Sequence, residues 1–240
     1  MTRGIGTLAE SELHAALKKH YARAGAETEV DVDGYVADIR FGHRLIEIQT
    51  ANFSGFKRKL AHLLRFYPVH VVYPVPELVW LVRAGRNGKV WKQRSPKEGR
   101  VIDIFDELVR IPELVMDPNI TFEVALTEEE HVAMFNYKRK GRRWKRGIEG
   151  RRLIAVRRGV TLASMSDFQA LLPKDLQEPF TTNELSKSLH SSQTLAREMA
   201  YVLRKAGAIE KVGHIGNSLL YARPSNPELG QMEIEPEEHE

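Results

Sequence analysis

The sequence contains no cysteine, so it can form neither disulfide bonds nor thiolate metal sites. It also lacks any apolar run near the roughly 20 residues that a membrane-spanning helix needs. The first residues, MTRGIGTLAESEL, lack the apolar block of a secretory signal. With 42% hydrophobic and 28% charged residues, the composition is that of an ordinary globular protein. These features predict a cytoplasmic protein that does not associate with membranes.

Acidic residues are almost missing from positions 138–158, which hold 11 Lys/Arg and one acid, Glu149. The rest of the chain has 25 basic and 31 acidic residues, so the positive excess is confined to this stretch. A concentrated basic segment favours binding to phosphate backbones, and an interleaved tryptophan can stack on bases. The alternatives are a solvated linker or a contact for an acidic protein. The predicted DNA contacts here are Lys138, Arg139, Lys140, Arg142, Arg143, Trp144, Lys145 and Arg146.

Hydrophobic periodicity and turn residues predict the elements of the first part of the chain. A helix is expected over 7–24 with Thr7 as its N-cap, and a second helix is expected to begin at Ser54. Strands are expected at 28–32, 35–41 and 44–50, at 69–73 as a buried strand parallel to a neighbour, and at 78–83 and 89–92 around the turn Arg86-Asn87-Gly88.

Four segments follow from these patterns. Residues 1–115 are expected to form a mixed α/β domain, and 116–160 a basic linker with a small β subdomain. Residues 161–224 read as three helices followed by a β-hairpin, an order typical of a winged helix. Residues 225–240 are rich in glutamate and lack Lys and Arg, which predicts a disordered acidic tail.

Two carboxylates are expected to converge in the 35–50 hairpin. Side chains alternate across a strand, so Glu47 and Gln49 project from one face while their isoleucine neighbours can be buried on the other. A two-residue turn pairs this strand closely with the one that carries Asp38, an acid in an otherwise apolar run. Carboxylate oxygens are ligands that Mg²⁺ prefers, with water and substrate phosphate completing the shell. The hairpin therefore predicts a site for Mg²⁺ or Mn²⁺, although Glu47 could instead face solvent.

The string Asp38-x8-Glu47-x-Gln49, between a helix bearing Glu10 and a second helix, resembles the PD-(D/E)XK (restriction endonuclease-like) nuclease superfamily over about residues 4–85. The resemblance implies a core of a mixed sheet flanked by helices. It also implies that Asp38 and Glu47 bind the metal, with Glu10 completing its shell. Gln49 would position the attacking water. The implied activity is metal-dependent hydrolysis of DNA phosphodiester bonds, and nucleases that cut both strands commonly act as homodimers.

Several of these residues have other interpretations. Gln49 stands where the superfamily usually has lysine, so a catalytically inactive DNA-binding protein is the alternative function. Lys57 or Lys59, on the following helix, could supply the missing ammonium group. Glu10 also fits a capping box with Thr7, and His14, one turn later, is interpreted as an ordinary surface or core histidine.

The C-terminal segment offers a second possible DNA contact. Gln193 and Arg197 lie at the start of its third helix, where the recognition helix of a winged helix meets bases and phosphates. Winged helices also serve as dimerisation or packing modules, and that alternative stays open here.

Overall fold

The computed structural model describes residues 11–84, 90–133 and 150–224, which divide into two compact units. The first unit contains residues up to Ile104 together with Pro118–Leu162. Its elements are α1 (Glu12–Tyr21), β1 (Glu27–Val32), β2 (Tyr35–Phe41), β3 (Arg44–Ile48), α2 (Phe53–Leu63), β4 (Val69–Ala84), β5 (Val90–Arg94), a 3₁₀ turn (Val101–Ile104), β6 (Ile120–Ala133) and β7 (Gly150–Leu162).

Seven strands form one mixed sheet in the order β1-β2-β3-β4-β6-β7, with β5 paired to β4. The two central pairings, β3 with β4 and β4 with β6, are parallel, as the unbroken apolar run at Val69 predicted. The remaining pairings are antiparallel. The predicted fold class, a mixed sheet flanked by helices, is confirmed.

Two helices cover opposite faces of this sheet. Leu13 and Leu17 of α1 pack on Val72, whereas Phe53 of α2 stacks on Phe122 at 6.4 Å between ring centroids. Val71 is paired with Phe122 and precedes Val72, so the two contacts lie on opposite sides of the pleat. The candidate hairpin of β2 and β3 is therefore flanked by a helix on each side.

Both helices begin at residues other than the predicted ones. Ser11 is the N-cap of α1 and accepts a hydrogen bond from the amide of His14, so the expectation that Thr7 caps this helix is wrong. Asn52, in the left-handed conformation with φ 61°, caps α2 through the amide of Gly55. Its side-chain oxygen accepts a hydrogen bond from a helix N–H, which was the role expected of Ser54. Asparagine can cap the helix from this left-handed conformation because it tolerates positive φ better than most residues.

The segment 116–160 is not a separate linker with a small β subdomain. Its two strands, β6 and β7, pair with each other, and β6 pairs along its length with β4. Strand pairing depends on a matching row of backbone groups and not on closeness along the chain, so local patterns did not reveal that this segment joins the sheet. The predicted turn Arg86-Asn87-Gly88 and the tail 225–240 lie outside the described residues.

The second unit contains Phe105–Asp117 and the chain from Ala163 onward. Its elements are α3 (Phe105–Leu108), α4 (Met165–Gln169), α5 (Thr182–Ser188), α6 (Gln193–Lys205), β8 (Glu210–Ile215) and β9 (Ser218–Ala222). The last three helices and the hairpin follow the predicted order. Among the described residues, no helix is both long and apolar enough to cross a membrane.

Candidate functional site

The candidate site lies where β2 and β3 separate. Their ladder ends at the pair Ile39 and Ile46, so the next residues, Asp38 and Glu47, stand opposite each other. Beyond that point the backbone amide of Ile48 donates to Oδ2 of Asp38, at 2.8 Å, instead of continuing the ladder. Side-chain alternation thus brings the two carboxylates together at the open end of the hairpin, as predicted.

The Asp38 carboxylate is held by two donors on a single oxygen. Besides the Ile48 amide, Nε2 of His14 lies 3.3 Å from Oδ2. Burial works to raise the pKa of Asp38, but the hydrogen bond and charge of His14, the Ile48 amide and the charge of Lys59 together hold this pKa below its usual value. His14 therefore touches the site directly and is not an ordinary surface or core histidine.

The Glu47 carboxylate is only 2% exposed and is incompletely satisfied. Its Oε2 forms an ion pair with Nζ of Lys59 at 2.5 Å, and the same ammonium group donates to the Val36 carbonyl at 2.7 Å. Its Oε1 is buried without a hydrogen-bond partner in the described part of the chain. Burial raises the pKa of Glu47 to about 7 despite Lys59, and the charge of Asp38 adds to the rise.

These two residues fit a divalent cation. A buried carboxylate oxygen without a partner is costly, and a cation is one partner that can satisfy such an oxygen. The two donors on Asp38 meet Oδ2 and do not use Oδ1. Mg²⁺ is commonly held by one or two carboxylates while waters and phosphate oxygens fill the shell. Within residues 11–84, 90–133 and 150–224, no cluster of three or more acidic or histidine side chains could hold a metal. Glu10, the third acid predicted for this site, lies outside those ranges.

An ammonium group reaches Glu47 from α2. Lys59 borders the buried stripe of Phe56, Leu60 and Leu63, and this position aims its side chain at the sheet. The amide of Gln49 itself donates to the Ala51 carbonyl, a local contact. Helical spacing does not separate these two lysines, since both border the apolar stripe; only the tertiary structure shows that Lys59 reaches Glu47 while Lys57 is exposed.

The basic stretch divides into two parts. The DNA contacts predicted between Lys138 and Arg146 lie outside the described residues. The four arginines that follow, on β7, are ion-paired. Their partners are Glu129 for Arg151, Glu12 for Arg152, Glu77 and Glu128 for Arg157, and Glu77 for Arg158. This described part is therefore charge-balanced, unlike the free phosphate-binding surface that the local composition suggested.

In the second unit, the two predicted DNA contacts differ in environment. Gln193 accepts a hydrogen bond from Ser186 and donates one to Thr182, each at 3.0 Å, so its amide joins α5 to α6. This contact gives Gln193 a structural role. Arg197, by contrast, is exposed on α6.

Comparison with known proteins gives a family model and a relative, and neither carries a described role. A family model described as a domain of unknown function (DUF8091) matches residues 11–163, more than half of the chain. An uncharacterized protein of Treponema pallidum (strain Nichols) is 26% identical over 221 residues, covering 91% of this chain and 87% of that protein. No solved structure matches the chain.

Proposed function

This chain belongs to the DUF8091 family, and we propose that it is a cytoplasmic, metal-dependent nuclease that hydrolyses phosphodiester bonds in DNA. The observation that carries the proposal is the set of Asp38, Glu47 and Lys59 at the open end of one hairpin. Two acids and a lysine are the residue types that PD-(D/E)XK nucleases use. Here the lysine comes from α2, which offsets the glutamine at position 49.

Each residue has a definite part in this proposal. Asp38 and Glu47 would hold Mg²⁺ or Mn²⁺ through their unused oxygens, with Glu10 as a further acid. When bound, such an ion supplies positive charge to the phosphodiester and lowers the pKa of a water molecule. Lys59 places a fixed ammonium group beside the same carboxylates, where it can stabilise the negative charge that develops on the phosphate. His14 orients Asp38 from the opposite side.

The second unit supports the proposal by its element order. Three helices followed by a β-hairpin is an order typical of a winged helix, and Arg197 on the outside of α6 could meet a phosphate. In this proposal the module places the protein on DNA. A homodimer would allow both strands to be cut.

The test is cleavage of plasmid, linear and branched DNA by purified protein with Mg²⁺ or Mn²⁺. We expect Asp38→Asn and Lys59→Met each to lower the cleavage rate by a factor on the order of 10² or more, since the first weakens binding of the ion and the second removes positive charge beside the reacting phosphate. Lys92→Met is the matched control, because Lys92 is also ion-paired, with Glu130, but on the edge strand β5. Cleavage that is the same in Asp38→Asn as in wild type would refute the assignment.

One observation favours a non-catalytic DNA-binding protein as the second candidate. The ion pair between Lys59 and Glu47 already neutralises the buried carboxylate without any metal. A protein of this class binds DNA equally with and without Mn²⁺ and never cuts it. Calorimetric titration with Mn²⁺ separates the two, because only the nuclease requires a binding signal that Asp38→Asn abolishes.

A further inference from the structure

The segment that surrounds the candidate site is almost free of acidic residues. Positions 39–76 contain six Lys/Arg and a single acid, Glu47. That acid is buried against Lys59, so this segment, which runs from β2 through α2 into β4, exposes no carboxylate. Its density of Lys/Arg, 6 in 38 residues, is close to that of the whole chain, 36 in 240, so the segment is distinguished by its lack of acids.

Two arginines stand out on the outward side of α2. Arg58 and Arg65 are seven residues apart, about two helical turns, and both are exposed. The turn continues past the last helical residue, since the amide of Arg65 donates to the His62 carbonyl. Neither arginine forms an ion pair with a carboxylate in the described ranges, in contrast to the four arginines of β7.

The neighbours of these arginines suit a nucleic acid. The Arg65 guanidinium lies 5.4 Å from the ring centroid of Phe66, whose side chain is 49% exposed. An arginine beside an exposed aromatic ring is a common platform for nucleotides. One acid contacts α2 elsewhere: Asp33, in the turn between β1 and β2, lies 3.8 Å from Nε2 of His62.

We infer that the outward face of α2, centred on Arg58 and Arg65, binds the phosphate backbone of the nucleic acid whose phosphodiester enters the Asp38 and Glu47 site. The inference rests on the proposed function for the identity of the polyanion. Its own basis is charge complementarity: two exposed arginines without a carboxylate partner in the described ranges lie on α2, which carries Lys59 into the site, and in the turn that follows it. Phosphate contacts of this kind position a nucleic acid without reading its sequence.

The experiment measures binding of fluorescently labelled single-stranded and duplex DNA by anisotropy, with the full chain and no divalent metal. We expect the double variant Arg58→Ala/Arg65→Ala to bind about 10-fold or more weakly and to lower the slope of log K against log salt by about 2, one for each lost phosphate contact. The control is Arg152→Ala/Arg157→Ala, which removes the same charge from ion-paired positions and should leave affinity nearly unchanged. Circular dichroism checks that both variants are folded.

Three results would overturn the inference: wild-type protein that does not bind DNA at low salt, a double variant that binds as wild type, or equal losses in variant and control. Tighter arginine-dependent binding to phosphatidylserine vesicles than to DNA would also overturn it, in favour of a membrane surface.

Failure of the proposed function can be distinguished from failure of this inference. If Asp38→Asn leaves cleavage unchanged while the arginine variant loses DNA binding, the docking face stands and the catalytic proposal does not.

Discussion

Two glutamates in the same sheet, Glu47 on β3 and Glu129 on β6, are both buried but have opposite electrostatic environments. Glu47 is 2% exposed and Glu129 is fully buried. Burial raises the pKa of Glu47 to about 7. For Glu129 burial acts in the same sense, but hydrogen bonds from His131 and Arg151, with the charge of Arg151, lower the pKa to about 2.

The partners of Glu129 explain the difference. Arg151 donates to both carboxylate oxygens, at 2.8 and 2.9 Å, while Thr127 donates to Oε1 and His131 contacts Oε2. Glu47 has Lys59 and the Asp38 amide as donors, and its Oε1 is without a partner among the described residues. A buried carboxylate that is fully satisfied stabilises the fold, whereas one left short of donors is suited to bind something else.

The largest expected effect that tests this comparison is on stability. Glu129→Gln leaves Arg151 without its charged partner and should lower the free energy of unfolding by about 3 kcal/mol or more. Glu47→Gln removes a carboxylate that is poorly stabilised in the folded state, so we expect a change within about 1 kcal/mol or a gain. Urea unfolding followed by circular dichroism measures both. Equal losses would show that the two glutamates are equivalent structural residues.

The two glutamates should also give the stability opposite pH dependences, on the order of 2–3 kcal/mol each. The folded pKa of Glu129 is lowered from 4.5 to about 2, so its contribution is present above about 4.5 and is lost as pH falls toward 2. The folded pKa of Glu47 is raised from 4.5 to about 7, so the folded state binds the extra proton, and stability falls as pH rises through this range.

Urea unfolding of wild type, Glu47→Gln and Glu129→Gln at intervals from pH 3 to 8 isolates the two contributions. The difference between wild type and Glu47→Gln should change between pH 4.5 and 7, and that for Glu129→Gln below pH 4.5. A flat difference curve for Glu47→Gln contradicts the raised pKa.

The smallest expected effects concern the histidine beside each carboxylate. His131→Asn removes a hydrogen bond at 2.9 Å and should cost about 1 kcal/mol of stability with no change in cleavage. His14→Asn should lower cleavage and Mn²⁺ affinity about 10-fold, as losing the partner of a metal-binding carboxylate does, with little effect on stability. Cleavage that falls equally in both variants would remove the distinction between a structural and a site histidine.

Local sequence patterns predicted the hairpin better than its surroundings. The strand Tyr35–Phe41 and the convergence of Asp38 with Glu47 follow from side-chain alternation and one tight turn. The burial of Glu129 and its pairing with Arg151 could not be predicted in this way. This residue is the middle of three consecutive glutamates, a pattern typical of an exposed surface, and only the pairing of β6 with β7 brings Arg151 to it.

By itself the sequence predicted most of the elements, though not their bounds, together with the parallel central strand and the pair of carboxylates, because these depend on periodicities of two and about four residues along the chain. Only the tertiary structure decided that Lys59 completes the pair, that His14 holds Asp38, and that β6 and β7 extend the sheet. Those contacts join residues 12 to more than 50 positions apart, and their geometry is fixed by how helices pack on the sheet and which strands share backbone hydrogen bonds.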